Sequence, residues 1–237
     1  MIDSRSTDTA VDLGCGPGEL TALAARKLGL SDIVGIDNAP AMLVAANQFR
    51  SSGVSFRSGD LSTWRHESAV DLIIAAASLQ WVPHHENVIA RWTESLNRGG
   101  QLAVQVPANS HAPTHVIASQ LASEEPFLSA FGPSGPPLDP VHENVLRPDE
   151  YATILRDAGF EHQKVFLRVY PHVLDDADAV VSWVRGTTLT RFARSLPTTV
   201  FDDFLVEYGE RVREHYGSGQ QVFFPFSRIL FWGQLPR

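Results

Sequence analysis

A chain of 237 residues with 43% hydrophobic content has the apolar material for one sizeable core, and its net charge of -8 leaves no broad cationic face for a nucleic-acid backbone. Cys15 is the single cysteine, which excludes an internal disulfide, and no apolar run is long enough to cross a bilayer. The N-terminus lacks a basic segment leading into an apolar run, so the expected setting is cytoplasmic, with no membrane, no nucleic acid and no obligate protein partner.

The first half alternates strand-like and helix-like segments. Ala10 to Leu13 reads as a strand running into Gly14-Cys15-Gly16-Pro17-Gly18, a turn whose small residues let backbone approach a ligand at the start of a helix. That helix spans Glu19 to Leu28, with Leu20, Leu23, Ala24 and Leu28 as its expected packed face. Ile33 to Ile36 is the second strand and ends at Asp37, where a carboxylate can accept hydrogen bonds from ribose hydroxyls. Pro40 suits the first turn of a helix through Gln48. Val54 to Arg57 is the third strand, followed by the loop Gly59-Asp60-Leu61, and Asp71 to Ala76 has the Ile and Ala content of a buried parallel strand. A helix is expected over Glu86 to Leu96, stopped by Arg98-Gly99-Gly100, before a fifth strand over Gln101 to Val106.

The second half is less regular. Ser110 to Ser129 contains a helix, and Phe131 to Pro140 is a Gly/Pro-rich connector. A helix over Asp149 to Ala158 is closed by Gly159 and followed by a strand over His162 to Tyr170. Helical segments over Asp175 to Leu189 and Val200 to Tyr216 precede a last strand over Val222 to Gln234. These features predict an α/β fold in one domain over residues 1–237, with 110–148 as a connector and 172–220 as a helical cap, both insertions. The ligand crevice is expected at the carboxyl ends of the strands.

A nucleotide-containing cofactor is the first reading of the glycine-rich turn. A dinucleotide fits poorly because the third glycine comes too soon. An S-adenosyl ligand fits better: Asp12 can orient its amino-acid end, Asp37 its ribose and Asp60 its adenine edge. At these residues the chain resembles the class I S-adenosylmethionine-dependent methyltransferases, which implies a Rossmann-like seven-stranded sheet flanked by helices, the cap lying between the last two strands. The resemblance carries Gly14, Gly16 and Gly18 to close backbone approach, Asp37 to the ribose, and Asp60 with Leu61 to adenine. Cys15, Asn38, Met42 and Ala76 complete the implied cofactor set, although Cys15 and Met42 also read as packing residues.

Later blocks narrow the resemblance. Ser78-Leu79-Gln80-Trp81-Val82-Pro83, Ala103 to Asn109, Pro113-Thr114-His115, Trp183 to Thr187 and Phe224 to Phe231 are similar to the trans-aconitate 2-methyltransferase family. The implied reaction is methyl transfer to one carboxylate of a small tricarboxylic acid, giving a monomethyl ester and S-adenosylhomocysteine. A carboxylate is ionised near neutral pH, so no catalytic base is implied; alignment and removal of water do the work. Arg185 and Arg228 are the leading anchors for an anionic substrate, because guanidinium grips carboxylate with two oriented hydrogen bonds. Gln80, Trp81, Asn109 and Trp183 are further substrate candidates; Trp81 and Trp183 also read as core packing, and Arg185 and Arg228 as surface ion-pair residues.

His111, His115, Tyr170 and His172 are candidates for the cavity wall, none in the setting of a general base. His84-His85-Glu86 supplies no closed coordination set, so no metal is expected, and Asp175, Asp176 and Asp178 read as a helix start. Family members carry a helical segment ahead of the glycine-rich strand, whereas Met1 to Thr9 alone precede it here, so a more exposed pocket is the expectation. Two alternatives stay open: methylation of another small molecule, and a noncatalytic S-adenosylmethionine-binding protein.

Overall fold

The computed structural model describes residues 2–4, 7–65 and 68–237. Strands β1 (Thr9–Leu13), β2 (Asp32–Asp37), β3 (Val54–Ser58), β4 (Val70–Ala76), β5 (Leu96–Pro107), β6 (His162–Leu174) and β7 (Val222–Gln234) form one sheet in the order β3-β2-β1-β4-β5-β7-β6. The first five are parallel and β7 runs antiparallel to β5. This is the seven-stranded Rossmann-like arrangement that the resemblance implies, with helices inserted between the last two strands.

Two compact units share the chain. Unit 1 comprises residues 1–107, 144–168 and 228–237, and unit 2 comprises 108–143 and 169–227. Unit 1 holds helices α1 (Glu19–Leu28), α2 (Pro40–Ala46) and α3 (His85–Thr93). Its strands bury both faces, as parallel strands must, with Leu13, Ile33, Leu72 and Ile73 fully enclosed. Unit 2 contains α4 (Pro113–Ala122) and α5 (Phe127–Ala130); α6 (Pro140–Asn144) ends at the boundary, and α7 (Pro148–Asp157) returns to unit 1. Helices α8 (Ala177–Arg185), α9 (Thr190–Ala193) and α10 (Thr198–Tyr216) complete unit 2. They enclose their own core, in which Phe127 meets Phe204 edge to face and Phe192 tilts against Phe204. No helix among the described residues is long and apolar enough to cross a membrane.

Several elements differ from the sequence expectation. Helix α1 has the expected bounds, but Thr21, Ala22 and Ala25 are its buried face, while Leu20 and Leu23 are exposed. The Thr21 hydroxyl is held inward by buried Asp12, while Ala24 and Leu28 of the expected face pack partly buried against the core. Helix α2 stops at Ala46 and tightens into a 3₁₀ turn at Asn47–Phe49. Helix α3 ends at Thr93, and the Gly99-Gly100 pair belongs to a bulge within β5. There Val70 pairs with Leu96 and Leu72 with Gln101; a Cβ on Gly100 would lie 2.7 Å from the Asn97 carbonyl. In the cap the expected Asp175 to Leu189 helix stops at Arg185, and a separate short helix, α9, follows it at Thr190–Ala193. Asp176 caps α8, accepting from the Ala179 amide at 2.8 Å.

Candidate functional site

The glycine-rich turn sits at the carboxyl end of β1 and opens α1, with Gly14, Gly16 and Gly18 all at positive φ. The three glycines serve different ends. A Cβ on Gly14 would lie 2.2 Å from the Ser78 Cβ, and one on Gly18 2.7 Å from the Phe56 ring, so both are demanded by packing. A Cβ on Gly16 would meet no atom within 4 Å, so its backbone fronts open space where a ligand can approach. Cys15 faces inward against Gly35, and burial pushes its thiol up to about 12, a packing residue rather than a nucleophile.

Asp12 is buried at the end of β1 and accepts from the Thr21 hydroxyl at 2.5 Å. Burial lifts its pKa from 3.8 to about 6, the Thr21 bond opposing and Asp37 adding a little. An unfolded chain ionises this carboxyl near pH 4 and the folded one near pH 6, so stability falls as pH rises through that window. The loss, at about 1.4 kcal/mol per pH unit, reaches on the order of 3 kcal/mol and is complete above the folded value. Asp12→Asn keeps an acceptor for Thr21 and removes the charge. Urea unfolding should therefore show the variant gaining stability over the wild type at pH 7.5 but not at pH 4; an equal difference at both would refute the buried-charge account.

Asp37 closes the turn from β2. Its Oδ2 accepts from the Gly16 amide and its Oδ1 from the Ala39 amide, both at 2.8 Å. Each oxygen keeps a further lone pair, which is the capacity that a ribose diol requires. Asn38 and Met42 are exposed beside it, Met42 at 42% on α2. Asp60 is exposed after β3, where Oδ1 accepts from the amide and hydroxyl of Ser62 in an Asx turn. Leu61 is anchored through its carbonyl, which accepts from the indole of fully buried Trp92 at 2.9 Å. Arg91 donates to the Ser62 carbonyl and ties the same loop to α3.

A second polar cluster of unit 1 lies at the carboxyl ends of β4 and β5. Ala76 closes β4, and Ala77 takes a left-handed φ of 57° while donating to the Gln105 carbonyl at 2.8 Å. The Ser78 hydroxyl donates to the Leu13 carbonyl at 2.6 Å, which binds this turn to the glycine-rich one. Farther along, the Leu146 amide donates to the Tyr151 oxygen, and His85 Nδ1 lies 2.8 Å from that hydroxyl. His85 Nε2 lies 2.9 Å from the Leu79 carbonyl, which can only accept; the proton is therefore on Nε2 and Tyr151 donates to Nδ1. Burial lowers the pKa of His85 and keeps it neutral, so this histidine is a strut with both nitrogens occupied.

The strut holds Gln80 and Trp81. Gln80 is buried and its Nε2 donates to the Ala77 carbonyl at 2.7 Å, leaving Oε1 without a partner among the described residues. Trp81 is 50% exposed. Arg228, on β7, donates from Nη1 to Gln105 Oε1 at 2.8 Å.

The other sequence candidates belong to unit 2. Asn109 is buried with Oδ1 unpartnered among the described residues. Trp183 packs on Phe224, Phe226 and His172 within the cap core. Arg185 ends α8 exposed, and among the described residues its side chain has no partner. Tyr170 is half-buried and His111 exposed, in edge contact with His142. His115 is buried against the Thr188 hydroxyl at 3.0 Å.

Sequence reading missed two polar groups. Gln105 figured only within the fifth strand and the Ala103 to Asn109 block, and Arg191 lay outside every expected element and candidate set. Arg191 is instead buried, 3.2 Å from Asp139 and donating to Ser119 at 2.9 Å, beside a cavity of about 380 Å³ that Ser119 and Asp139 border. Its one sequence signal is its place between Leu189 and Phe192, on a short helix whose neighbours are core.

Residues 10–100 match the family model described as "Methyltransferase domain". The chain is 39% identical over 207 residues to the trans-aconitate 2-methyltransferase of Variovorax paradoxus, covering 87% of this chain and 78% of that protein. It is 40% identical over 216 residues to the Delftia acidovorans enzyme of the same name, covering 87% and 79%. The Deinococcus radiodurans enzyme is 34% identical over 239 residues, spanning 100% of this chain and 90% of its own. Among solved structures, the YcgJ protein from Bacillus subtilis superposes with a TM-score of 0.61 at 17% identity, covering 98% of this chain and 93% of that one. Haemonchus contortus phosphoethanolamine N-methyltransferase 2, in complex with S-adenosyl-L-methionine, gives 0.59 at 15% identity over 98% and 49%. At those identities the structural likeness shows the fold alone.

Proposed function

We propose, on the premise that this chain belongs to the class I S-adenosylmethionine-dependent methyltransferases and is homologous to the trans-aconitate 2-methyltransferases, that it methylates one carboxylate of trans-aconitate or a closely related small polycarboxylic acid. The products are the monomethyl ester and S-adenosylhomocysteine. The observation that carries this reading is the 39–40% identity to enzymes of that name over 87% of the chain.

The residues of unit 1 fit the donor. The Gly16 backbone fronts open space that a ligand can enter, and Asp37 retains lone pairs for a diol. When bound, S-adenosylmethionine supplies an electrophilic methyl on a sulfonium. The protein's part is to hold an acceptor oxygen in line and strip its water. The β4–β5 edge suits an acceptor already ionised: His85, its buried histidine, is locked neutral with both nitrogens engaged, while Gln105 and Arg228 offer hydrogen-bond donors. An anionic oxygen needs donors and no base.

The test is purified protein with S-adenosylmethionine and a panel of di- and tricarboxylic acids beside neutral alcohols and amines, with products read by mass. A methyl ester on trans-aconitate or a close relative is expected, with Arg228→Ala losing more activity than His84→Ala. Equal methylation of the neutral compounds would refute the assignment.

A further inference from the structure

We infer that Gln105 is a substrate-binding residue: its side-chain amide, fixed in orientation by Arg228, presents N–H donors to a carboxylate oxygen of the acid. This deepens the acid-methylating reading above and rests on it.

Gln105 of β5 lies opposite Leu230 of β7, and Pro107 lies opposite Arg228. Residues two apart on a strand share a face, so Arg228 and Gln105 are diagonal neighbours within reach of long side chains. Arg228 can only donate, and its Nη1 is 2.8 Å from Gln105 Oε1. That contact decides which end of the amide is oxygen. The NH₂ end is thereby turned away from Arg228, and Nε2 is buried with no partner among the described residues.

A buried donor without an acceptor is destabilising, and such a group persists where a ligand or an ordered water completes it. The location suits an acceptor of methyl groups. The Gln105 carbonyl accepts from Ala77, the next residue is Ser78, and Ser78 is the side chain against which Gly14 is packed. Gln105 thus lies near the carboxyl end of β5, and its backbone is bonded to the β4 turn that packs against the glycine-rich loop, at the end of the sheet where open α/β sheets bind ligands. Ala77 is held there in a left-handed conformation that an alanine rarely takes, a local strain of the kind found at binding sites.

Two near-isosteric substitutions separate this role from a merely structural one. Gln105→Glu keeps an acceptor for Arg228 but replaces the donor with an anionic oxygen; Gln105→Met keeps the volume and removes both polar functions. If the amide serves the acid, KM for trans-aconitate rises roughly ten- to hundredfold in Gln105→Met and further in Gln105→Glu. S-adenosylmethionine affinity and melting temperature stay near wild type in both variants. If Gln105 only supports Arg228, Gln105→Glu equals the wild type and Gln105→Met is the impaired one, which overturns the proposal. Calorimetric binding of trans-aconitate to the protein loaded with S-adenosylhomocysteine gives the same ranking without turnover. A wild type that binds and methylates the acid while the variants match it refutes the role of Gln105 alone. A wild type that neither binds nor methylates any acid of the panel removes the functional reading itself, and this inference with it.

Discussion

Gly14→Ala is expected to abolish measurable S-adenosylmethionine binding and to lower the melting temperature steeply, whereas Gly16→Ala should weaken binding with a much smaller fall in the unliganded melt. The contrast follows from what each Cβ would meet. At Gly14 a φ of 75° already strains an L-residue, and the added carbon would lie 2.2 Å from Ser78 Cβ and 2.8 Å from its Oγ. Ser78 cannot retreat freely, because its hydroxyl holds the Leu13 carbonyl at 2.6 Å. The turn must open, and the geometry shared with Asp37 goes with it. A loss of at least a hundredfold in affinity, about 2.7 kcal/mol, is the expected scale. At Gly16, φ is 55° and space is free, so the structural cost is only the left-handed conformation, on the order of 1–2 kcal/mol. Its new methyl instead projects into the open space through which the ligand would approach. Calorimetric titration and thermal melts of both variants check the pair; equal melts for the two would show that Ser78 yields easily.

The second large effect is expected at Trp92. This side chain is fully buried on α3, and its indole N–H donates to the Leu61 carbonyl at 2.9 Å. Trp92→Ala removes a large packed ring and leaves that carbonyl without its donor, with an expected cost of about 3–5 kcal/mol. Because Leu61 follows Asp60 in the loop assigned to adenine, cofactor affinity should fall together with stability. Trp92→Phe restores most of the volume and none of the hydrogen bond, so it should recover much of the stability while leaving the loop loosened. Chemical unfolding with parallel cofactor titration measures both. A cost below about 1 kcal/mol for Trp92→Ala would mean that the surrounding core collapses into the space.

Periodicity and turn chemistry made the parallel half of the sheet readable. Glu19–Leu28 was bounded by glycines at both ends, and β1, β2 and β4 carry apolar cores that end at Gly14, Asp37 and Ala76. What failed was local sequence with two physical meanings. Gly99 at φ 73° has the conformation of a helix stop, yet it lies in a strand bulge whose amide bonds to the Pro236 carbonyl at 2.7 Å. Thr21 reads as polar and outward, but buried Asp12 supplies its partner.

The donor side of the candidate site was legible for a related reason: its residues lie at strand ends, one after another along the chain. Gln105 was not, because its meaning depends on Arg228, which is 123 residues away and becomes a neighbour only through the antiparallel register of β5 and β7. Arg191 needed the same kind of knowledge, since nothing local marks Asp139 as its partner.

The most direct measurement is the fate of an isotopically labelled methyl group supplied on S-adenosylmethionine and incubated with the protein and trans-aconitate. The account predicts one labelled methyl per acid, released as methanol by mild alkali, as a carboxyl ester must be. Label that resists alkali, or that appears on neutral acceptors and never on the acid, would contradict it.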